Sequence, residues 1–340
     1  MKNEMNIVII GAGSWGTTLS VMLAKKGYNI KIWTRSENTF NDILKNCRNT
    51  KYTGNLIIPK NVAPFTNEEN KFTGADIVIF AVPSHTLRKV IKKFYNKLLN
   101  NCETIKGIIN VAKGIEIGTN LRLSQVMEQS IPEELKSKIA VLSGPNIAVE
   151  VAEKLPSVTV ISSLNFKLLK YLQPILSTEY FRVYTNKDLI GVEIGGAVKN
   201  IIAISAGISD GLGYGANTKA SLMTRGLHEL SKFGIKLGAN PLTFSGVAGM
   251  GDLVVTCISK HSRNRKVGER IGKGEKAYDI IDGMYMVAEG IKTTKAVYKM
   301  SKKINIELPI TECMYEIIYK DLNPTESVKK LMGRKFKSEI

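Results

Sequence analysis

The sequence is poor in the residue types that build disulfide frameworks and metal centres. Its 340 residues contain three histidines and four cysteines, the latter at positions 47, 102, 257 and 313. No two cysteines form a CxxC pair, and neither residue type has the spacing of metal ligands. We therefore expect no disulfide scaffold and no bound metal. Few, scattered thiols are typical of a reducing compartment such as the cytoplasm.

Long hydrophobic runs are also lacking. No stretch of about 18 uncharged apolar residues, the length that a membrane-spanning helix needs, occurs in the sequence. The longest low-charge stretch, 201–214, is shorter and rich in glycine and serine. The N-terminus has no apolar segment followed by a small-residue cleavage site. These features predict a soluble cytoplasmic protein without stable membrane insertion.

Acidic residues are fewer than basic ones. Lys and Arg total 48 against 30 Asp and Glu, which gives a net charge of +18. Such an excess attracts anions, so nucleic acid, a membrane surface and phosphorylated metabolites are all partner classes to consider, beside a solvated lysine-rich surface with no specific partner. No nucleic-acid-binding motif or aromatic and basic platform accompanies the charge, so we do not expect nucleic acid to bind.

Strands alternate with helices in the first half of the chain, whereas mainly helical patterns fill the second half. We predict strands at 6–10, 29–33, 75–82, 106–111, 139–142 and 156–161. We predict helices at 14–26, 86–98, 121–129 and 165–175, then at 188–209, 217–237, 265–271 and 291–300. Gly27 is expected to end the first helix and Ser84 to cap the second. The expected fold class is α/β plus all-α, with a parallel, doubly wound, Rossmann-type domain at 1–187 and a mainly helical domain at 188–340.

A glycine-rich loop follows the first predicted strand. The segment GAGSWG at 11–16 fits the pattern G-x-G-x-x-G and opens a helix. In that context Gly11 makes the tight turn, Gly13 lets the backbone approach a pyrophosphate, and Gly16 lets helix and strand pack closely. The start of the helix offers free N–H groups to an anion. The loop predicts a dinucleotide site, with FAD as the alternative to a nicotinamide dinucleotide.

The end of the second strand lacks the acidic residue that usually binds the ribose of NAD. Arg35 lies there instead, and it can accept the 2′-phosphate of NADP with help from Ser36 and Lys51. We therefore favour NADP (NADPH) over NAD as the cofactor. Glu37 lies slightly late for the NAD role but keeps that option open.

Reactive residues and tight turns combine in several later segments. Lys113 follows a strand at the sheet edge where ligands of doubly wound folds bind, and SGPN at 143–146 follows another strand. Lys199 lies on a helix among small apolar residues, where a buried ammonium needs an acid partner, and Asp252 offers one such acid. The segment SRNR at 262–265 can cap a helix and hold an anion at its start.

These segments together carry a family resemblance. GAGSWGTTLS, VAKGIE, LSGPNIAVE, GVEIGGAVKN, GVAGMGDLVVTC, SRNRKVG and VAEG are similar to stretches of the bacterial-type NAD(P)-dependent glycerol-3-phosphate dehydrogenases. The resemblance extends from Gly11 to about Pro309. It implies an oxidoreductase in which NAD(P)H reversibly reduces dihydroxyacetone phosphate to sn-glycerol 3-phosphate, the backbone of glycerophospholipids.

The resemblance also implies roles for particular residues. Lys199 would be the general acid/base, Lys113 would polarise the carbonyl oxygen, and Asp252 would hold Lys199 and bond a substrate hydroxyl. Substrate contacts would come from Lys113, Gly144, Asn146, Lys199, Asp252, Ser262, Arg263 and Asn264, with the last three at the phosphate. Cofactor contacts would come from Gly11, Gly13, Ser14, Trp15, Gly16, Arg35, Tyr52, Lys113, Ala148, Arg263, Val287 and Glu289.

Two other functions compete with this interpretation. Related hydroxy-acid dehydrogenases of the 6-phosphogluconate and 3-hydroxyisobutyrate type share the architecture but lack Lys113 and the pairing of Asp252 with Arg263. A non-catalytic NADPH-binding protein would not need the proton donor Lys199. Long apolar helices in the second half make a homodimer plausible.

Overall fold

The computed structural model describes residues 5–66, 71–283, 288–336 and 338. They form two compact units. The first comprises the described residues up to Lys113 together with Leu121–Glu193, and the second comprises Gly114–Asn120 with the described residues from Ile194 onward.

A single eight-stranded sheet forms the centre of the first unit. Its strands are β1 (Asn6–Ile10), β2 (Asn29–Trp33), β3 (Val62–Phe65), β4 (Ile77–Phe80), β5 (Gly107–Asn110), β6 (Ile139–Ser143), β7 (Ser157–Ser162) and β8 (Phe181–Asn186). Their order is β3-β2-β1-β4-β5-β6-β7-β8. The first six follow the order of a dinucleotide-binding Rossmann sheet, which confirms the predicted fold class.

The sheet departs from the prediction in two respects. It is not entirely parallel, because β6 and β7 pair antiparallel while every other neighbouring pair is parallel. In addition, β3 and β8 were not predicted. Both are edge strands: β3 contains Pro64, which suits an edge because it donates no hydrogen bond, and β8 alternates buried with exposed residues.

Helices cover both faces of this sheet. They are α1 (Ser14–Lys25), α2 (Glu37–Asn46), α3 (Thr50–Thr53), α4 (Leu87–Lys93), α5 (Tyr95–Leu99), α6 (Leu123–Glu128), α7 (Ala148–Ala152) and α8 (Phe166–Leu176). Side chains alternate along β1, so Ile7 and Ile9 join the core beneath α1 and α8, whereas Val8 and Ile10 join the core beneath α4, α5 and α6. Residues on both sides of the sheet are therefore withdrawn from water.

The caps of the first two predicted helices behave differently. Gly27, just beyond α1, has φ +91, as expected for a glycine that ends a helix. Ser84 does not cap α4, because a 3₁₀ turn at Ser84–Thr86 comes first and Thr86 is the N-cap residue. The single helix predicted at 86–98 is divided into α4 and α5 at the buried Phe94.

Helices are the main elements of the second unit, whose segment Gly114–Asn120 is not helical. Its helices are α9 (Leu189–Gly211), which begins in the first unit, α10 (Ala216–Lys236), α11 (Pro241–Ser245), α12 (Asp252–Ile258), α13 (Arg263–Gly272), α14 (Ala277–Asp282), α15 (Glu289–Lys303), α16 (Pro309–Lys320) and α17 (Pro324–Met332). A π-helical turn at Val247–Gly251 precedes α12. Glu229 of α10 accepts hydrogen bonds from the N–H groups of Ile310 (2.6 Å) and Thr311 (3.2 Å), and thereby caps α16.

Glycines bring α9 and α13 into backbone contact. A Cβ on Gly207 would lie 2.0 Å from the carbonyl oxygen of Arg265, and a Cβ on Gly268 would lie 2.0 Å from that of Ile204. One turn further along, Gly211 and Gly272 meet in the same way, with a Cβ on Gly211 only 2.8 Å from Gly272 Cα. Larger residues at these positions would force the two helices apart.

Helix α9 is long and apolar enough to cross a membrane by length and composition alone, and no other helix among the described residues is. It carries Glu193 and Lys199, so it is not the uncharged run that the sequence lacks. Its most apolar window is 94% buried inside the protein. A core helix passes the same test of length and composition.

Candidate active site

At two positions of the loop after β1, close contacts within the protein leave room only for glycine. Gly11 has φ +122, and a Cβ there would lie 2.5 Å from the carbonyl oxygen of Ala81. A Cβ on Gly16 would lie 2.0 Å from the carbonyl oxygen of Gly11. These contacts explain the tight turn and the close approach of α1 to the sheet.

Gly13 is different, because the protein gives no reason for a glycine at this position. It is the N-cap residue of α1 with φ −76, a value that any residue can adopt, and a Cβ there would meet no atom within 4 Å. The space that a side chain would fill lies beside the free N–H groups at the start of α1. The loop therefore fits a pyrophosphate approaching at Gly13.

Other predicted cofactor contacts lie around this loop. The hydroxyl of Ser14 donates to the carbonyl oxygen of Tyr52 (2.9 Å). The ring of Trp15 packs against the core, with its centroid 6.0 Å from that of Phe181. Arg35 is exposed at the end of β2, in a turn that Ser36 holds by accepting from the N–H of Thr39 at the start of α2 (3.3 Å).

A second cluster lies where β5 and β6 end. The side chain of Asn110 hydrogen-bonds both backbone groups of Ala112 and shapes the turn that leads to Lys113. Lys113 Nζ donates to the carbonyl oxygen of Gly144 (2.8 Å). The amide of Asn146 is fixed because its Oδ1 accepts from the hydroxyl of Thr159 (2.9 Å). The predicted residues Lys113, Gly144 and Asn146 are thus brought together, and Ala148 follows at the first position of α7.

A third cluster, in the second unit, is a buried ion pair. Lys199 of α9 is 5% exposed and Asp252 of α12 is 0% exposed. Lys199 Nζ donates to Asp252 Oδ1 and to the hydroxyl oxygen of Thr256 (2.8 Å). The Thr256 hydroxyl in turn donates to the carbonyl oxygen of Asp252 (2.6 Å). The ammonium is therefore held in one orientation, with its charge balanced away from water.

Asn264 links three helices beside this pair. Its Nδ2 donates to Asn200 Oδ1 on α9 (2.8 Å), and its Oδ1 accepts from the N–H of Gly290 on α15 (3.0 Å). Glycine is needed at 290, because a Cβ would lie 2.6 Å from the carbonyl oxygen of Asn200. These bonds use the carbonyl oxygen and one hydrogen of the Asn264 amide.

The start of α13 carries the other predicted phosphate ligands. Ser262 is its N-cap residue and accepts from the N–H of Arg265 (3.2 Å), as predicted from the sequence. Arg263 is exposed at the first helical position. Loss of water around the Arg263 guanidinium lowers its pKa, and the carboxylate of Glu289 opposes that shift. Val287, the remaining predicted cofactor contact, lies outside the described residues.

Two family profiles together match most of the chain. The profile described as the N-terminus of NAD-dependent glycerol-3-phosphate dehydrogenase matches residues 6–169, and the profile for the C-terminus matches residues 188–329. The chain belongs to the NAD-dependent glycerol-3-phosphate dehydrogenase family. The family resemblance of the sequence motifs is thereby confirmed.

Relatives and solved structures of glycerol-3-phosphate dehydrogenases agree with this membership. A glycerol-3-phosphate dehydrogenase (NAD(P)+) of Clostridium botulinum is 48% identical over 334 residues, which cover 98% of this chain and 99% of the relative. The crystal structure of the glycerol-3-phosphate dehydrogenase of Coxiella burnetii has a TM-score of 0.89 at 34% identity and covers 97% of this chain and 99% of that chain. The structure of GPD1 from Saccharomyces cerevisiae has a TM-score of 0.80 at 25% identity and covers 96% and 99%.

Four polar residues of this glycerol-3-phosphate dehydrogenase family member were not among the site residues predicted from the sequence. Thr256 and Asn200 contact the predicted site directly. The buried Glu193 accepts from the N–H of Ser124 (2.7 Å) and pairs with the partly exposed Arg122, and Asn49 lies beneath the glycine loop. Only Thr256 had a usable signal, since it lies one helical turn after Asp252 and shares its face of α12.

Side chains suited to a metal do not cluster in the described part of the chain. No group of three or more His, Cys, Asp or Glu residues that could hold a metal ion is found there.

Proposed function

We propose that this chain catalyses the reversible reduction of dihydroxyacetone phosphate to sn-glycerol 3-phosphate, a precursor of glycerophospholipids. The hydride is supplied by NAD(P)H when that dinucleotide is bound. The observation that carries the proposal is the buried pair of Lys199 and Asp252, because neither structural packing nor dinucleotide binding requires an ammonium in that position. Family membership and the names of the relatives support the same reaction.

Lys199 is the proton donor in this reaction. A ketone that accepts hydride develops negative charge on oxygen, and a positioned ammonium both balances that charge and supplies the proton. Hydrogen bonds to Asp252 and Thr256 hold the ammonium in a defined orientation, from which it can deliver a proton to the substrate oxygen. In the reverse direction Lys199 takes the proton from the hydroxyl of glycerol 3-phosphate.

Lys113 polarises the same carbonyl oxygen and contacts the substrate. Its tether to Gly144 restrains the side chain, and Gly144 and Asn146 contribute further substrate contacts at the carboxyl end of the sheet. Asp252 accepts a hydrogen bond from a substrate hydroxyl while it holds Lys199. These assignments follow the family motifs residue by residue.

The substrate phosphate binds at the start of α13. Ser262, Arg263 and Asn264 lie there in sequence, where helix N–H groups and a guanidinium favour an oxyanion. Binding energy from the phosphate can then position the carbonyl for reaction. A ketone without the phosphate loses that positioning.

The cofactor binds to the first unit, at the loop after β1. Its contacts are Gly11, Gly13, Ser14, Trp15, Gly16, Arg35, Tyr52, Lys113 and Ala148, together with Arg263, Val287 and Glu289 of the second half. Arg35 favours NADPH over NADH because an exposed guanidinium can pair with the 2′-phosphate. We assign residues 1–187 to dinucleotide binding and 188–340 to substrate binding.

The setting of the enzyme is part of the proposal. We propose a cytoplasmic enzyme, since the helix of the described residues that is long and apolar enough to span a membrane is a buried core helix. A homodimer is the proposed assembly. Its partner in the reaction is a small phosphorylated molecule, and neither nucleic acid nor a membrane takes part.

The decisive experiment follows the oxidation of NADH and of NADPH by absorbance with dihydroxyacetone phosphate and with unphosphorylated dihydroxyacetone. We expect turnover of the phosphorylated ketone and a large loss without the phosphate. Faster oxidation of NADPH is expected, and Arg35→Ala should remove that preference. No reaction with either cofactor, or oxidation of 6-phosphogluconate or 3-hydroxyisobutyrate instead, would refute the proposed reaction.

A further inference from the structure

Asn49 lies beneath the glycine loop and is fully buried. It is the N-cap residue of α3, far from the loop in sequence. Its Nδ2 donates one hydrogen bond to the carbonyl oxygen of Ala12 (2.9 Å) and another to the hydroxyl oxygen of Thr17 (2.8 Å). Ala12 precedes α1 and Thr17 lies in its first turn, so a single amide joins the loop to the helix.

The bond to Ala12 fixes the direction of the next N–H group. In a planar trans peptide the C=O and N–H groups point in opposite directions. Because the carbonyl of Ala12 points towards Asn49, the N–H of Gly13 points away from it. Gly13 is also the loop residue whose missing side chain leaves open space. Asn49 thus orients a donor towards the place where an anion can approach.

Only the donor end of Asn49 is used in this contact. Its Oδ1 is buried and has no hydrogen-bond partner within the residues that the structure describes. A buried acceptor without a hydrogen bond opposes folding. The property that suits asparagine to position 49 is therefore its pair of N–H donors. Aspartate has the same shape but carries no hydrogen to donate at neutral pH.

The segment that carries Asn49 is itself held in place. The carbonyl oxygen of Asn49 accepts from the N–H groups of Tyr52 (3.0 Å) and Thr53 (2.8 Å), which lie in α3. Asp42 of α2 accepts from the N–H of Thr50 (2.8 Å). The same segment receives the hydroxyl of Ser14 at Tyr52. The glycine loop is therefore attached at two points to one braced element.

We propose that Asn49 is a positioning residue for the dinucleotide. Asn49 holds the Ala12–Gly13 peptide so that the N–H of Gly13 is oriented to bind the pyrophosphate. This inference rests on the proposed binding of NAD(P)H. Asn49 itself touches neither substrate nor cofactor. Its loss should therefore weaken pyrophosphate binding and leave the chemical step unchanged.

Asn61 supplies a matched control. Its Nδ2 likewise donates to two acceptors, the carbonyl oxygens of Ala24 (2.8 Å) and Tyr28 (2.9 Å), at the opposite end of α1. Asn49→Asp and Asn61→Asp therefore make the same chemical change at the two ends of one helix. Both should lower the melting temperature, but only the change at Asn49 should affect the loop.

The test measures the Kd of NADPH and of ADP-ribose by fluorescence titration or calorimetry, at a temperature where every variant is folded. For Asn49→Asp and Asn49→Ala we expect Kd to rise roughly ten- to hundredfold for both ligands, the scale of a lost hydrogen bond to a charged group. The kcat at saturating NADPH and the KM for dihydroxyacetone phosphate should stay within about twofold. Asn61→Asp should leave both Kd values unchanged.

Unchanged Kd values in folded Asn49 variants, or an equal rise in Asn61→Asp, would overturn the assignment. If the Asn49 variants do not fold, Thr17→Val removes one of the two acceptors and should still raise Kd several-fold; an unchanged Kd there would also overturn it. NADPH binding and ketone reduction by the wild-type protein distinguish failure of the Asn49 assignment from failure of the proposed reaction. Protein that binds NADPH but does not reduce the ketone refutes the reaction alone, whereas absence of binding refutes both.

Discussion

Replacing Glu229 with Gln should change how the stability of the protein depends on pH. The Glu229 carboxylate is 4% exposed and caps α16 through the N–H groups of Ile310 and Thr311. Burial raises the pKa of Glu229 to about 7, although the two N–H groups, the hydroxyl of Thr311 and the charge of Arg334 oppose the shift. Gln keeps the shape and an acceptor oxygen but does not titrate.

The sign of the effect follows from proton binding. The pKa of Glu229 rises from 4.5 in the unfolded chain to about 7 in the folded one, so the folded state binds more protons between these values. Its contribution to stability is therefore present below pH 4.5 and is lost as the pH rises through 7. At 1.36 kcal/mol for each pH unit of difference, the loss between pH 5 and pH 8 is about 2–3 kcal/mol.

Urea unfolding at pH 5 and pH 8 measures this difference. We expect the free energy of unfolding of wild type to fall by about 2–3 kcal/mol more than that of Glu229→Gln over this interval. All other titrating groups, including neighbouring His228, are shared and cancel in the comparison. Parallel pH profiles for the two proteins would refute the argument, as would a wild type that gains stability towards pH 8 relative to the variant.

Three further predictions concern the active site. Lys199→Ala should lower kcat by about 10²–10⁴-fold, as expected for loss of a positioned proton donor, while NADPH still binds in a titration; near-normal turnover would remove Lys199 from the mechanism. Arg263→Ala should raise the KM for dihydroxyacetone phosphate without raising that for dihydroxyacetone, and an unchanged KM would place the phosphate elsewhere. Gly13→Ala should keep the wild-type melting temperature but weaken NADPH binding, whereas Gly16→Ala should lower the melting temperature because its Cβ has no space; the opposite ranking in thermal unfolding would contradict both.

The central strands and some of the helix ends, such as Gly27 and Ser262 but not Ser84, were predictable because local chemistry determines them. β1 and β2 match their predicted bounds, since short apolar runs ended by glycine or polar residues suit central strands. The cap at Ser262 was predictable for a similar reason, because its hydroxyl needs only the N–H three residues later. The edge strands β3 and β8 carry too little of that apolar signal.

The site was less predictable where contacts join distant residues. The sequence offered Asp252 as an acid for Lys199, but their contact spans 53 positions and depends on the packing of α9 against α12. Asn49 had no signal at all, because an asparagine before a short helix is usual in any turn. Its proposed role depends on its contacts with Ala12 and Thr17, which are distant in sequence.

The glycine contact between α9 and α13 fixes how closely two helices that carry predicted site residues approach each other. Lys199 is carried by α9, and the residues assigned to the phosphate are carried by the start of α13. Where backbone touches backbone, no side chain can be compressed or can change rotamer to alter the spacing of the two helices. The spacing of the two helices is therefore rigid at this contact. We therefore expect that a larger residue at Gly207 or Gly268, although neither position is assigned to the substrate, would change the separation of the proposed proton donor from the proposed phosphate site.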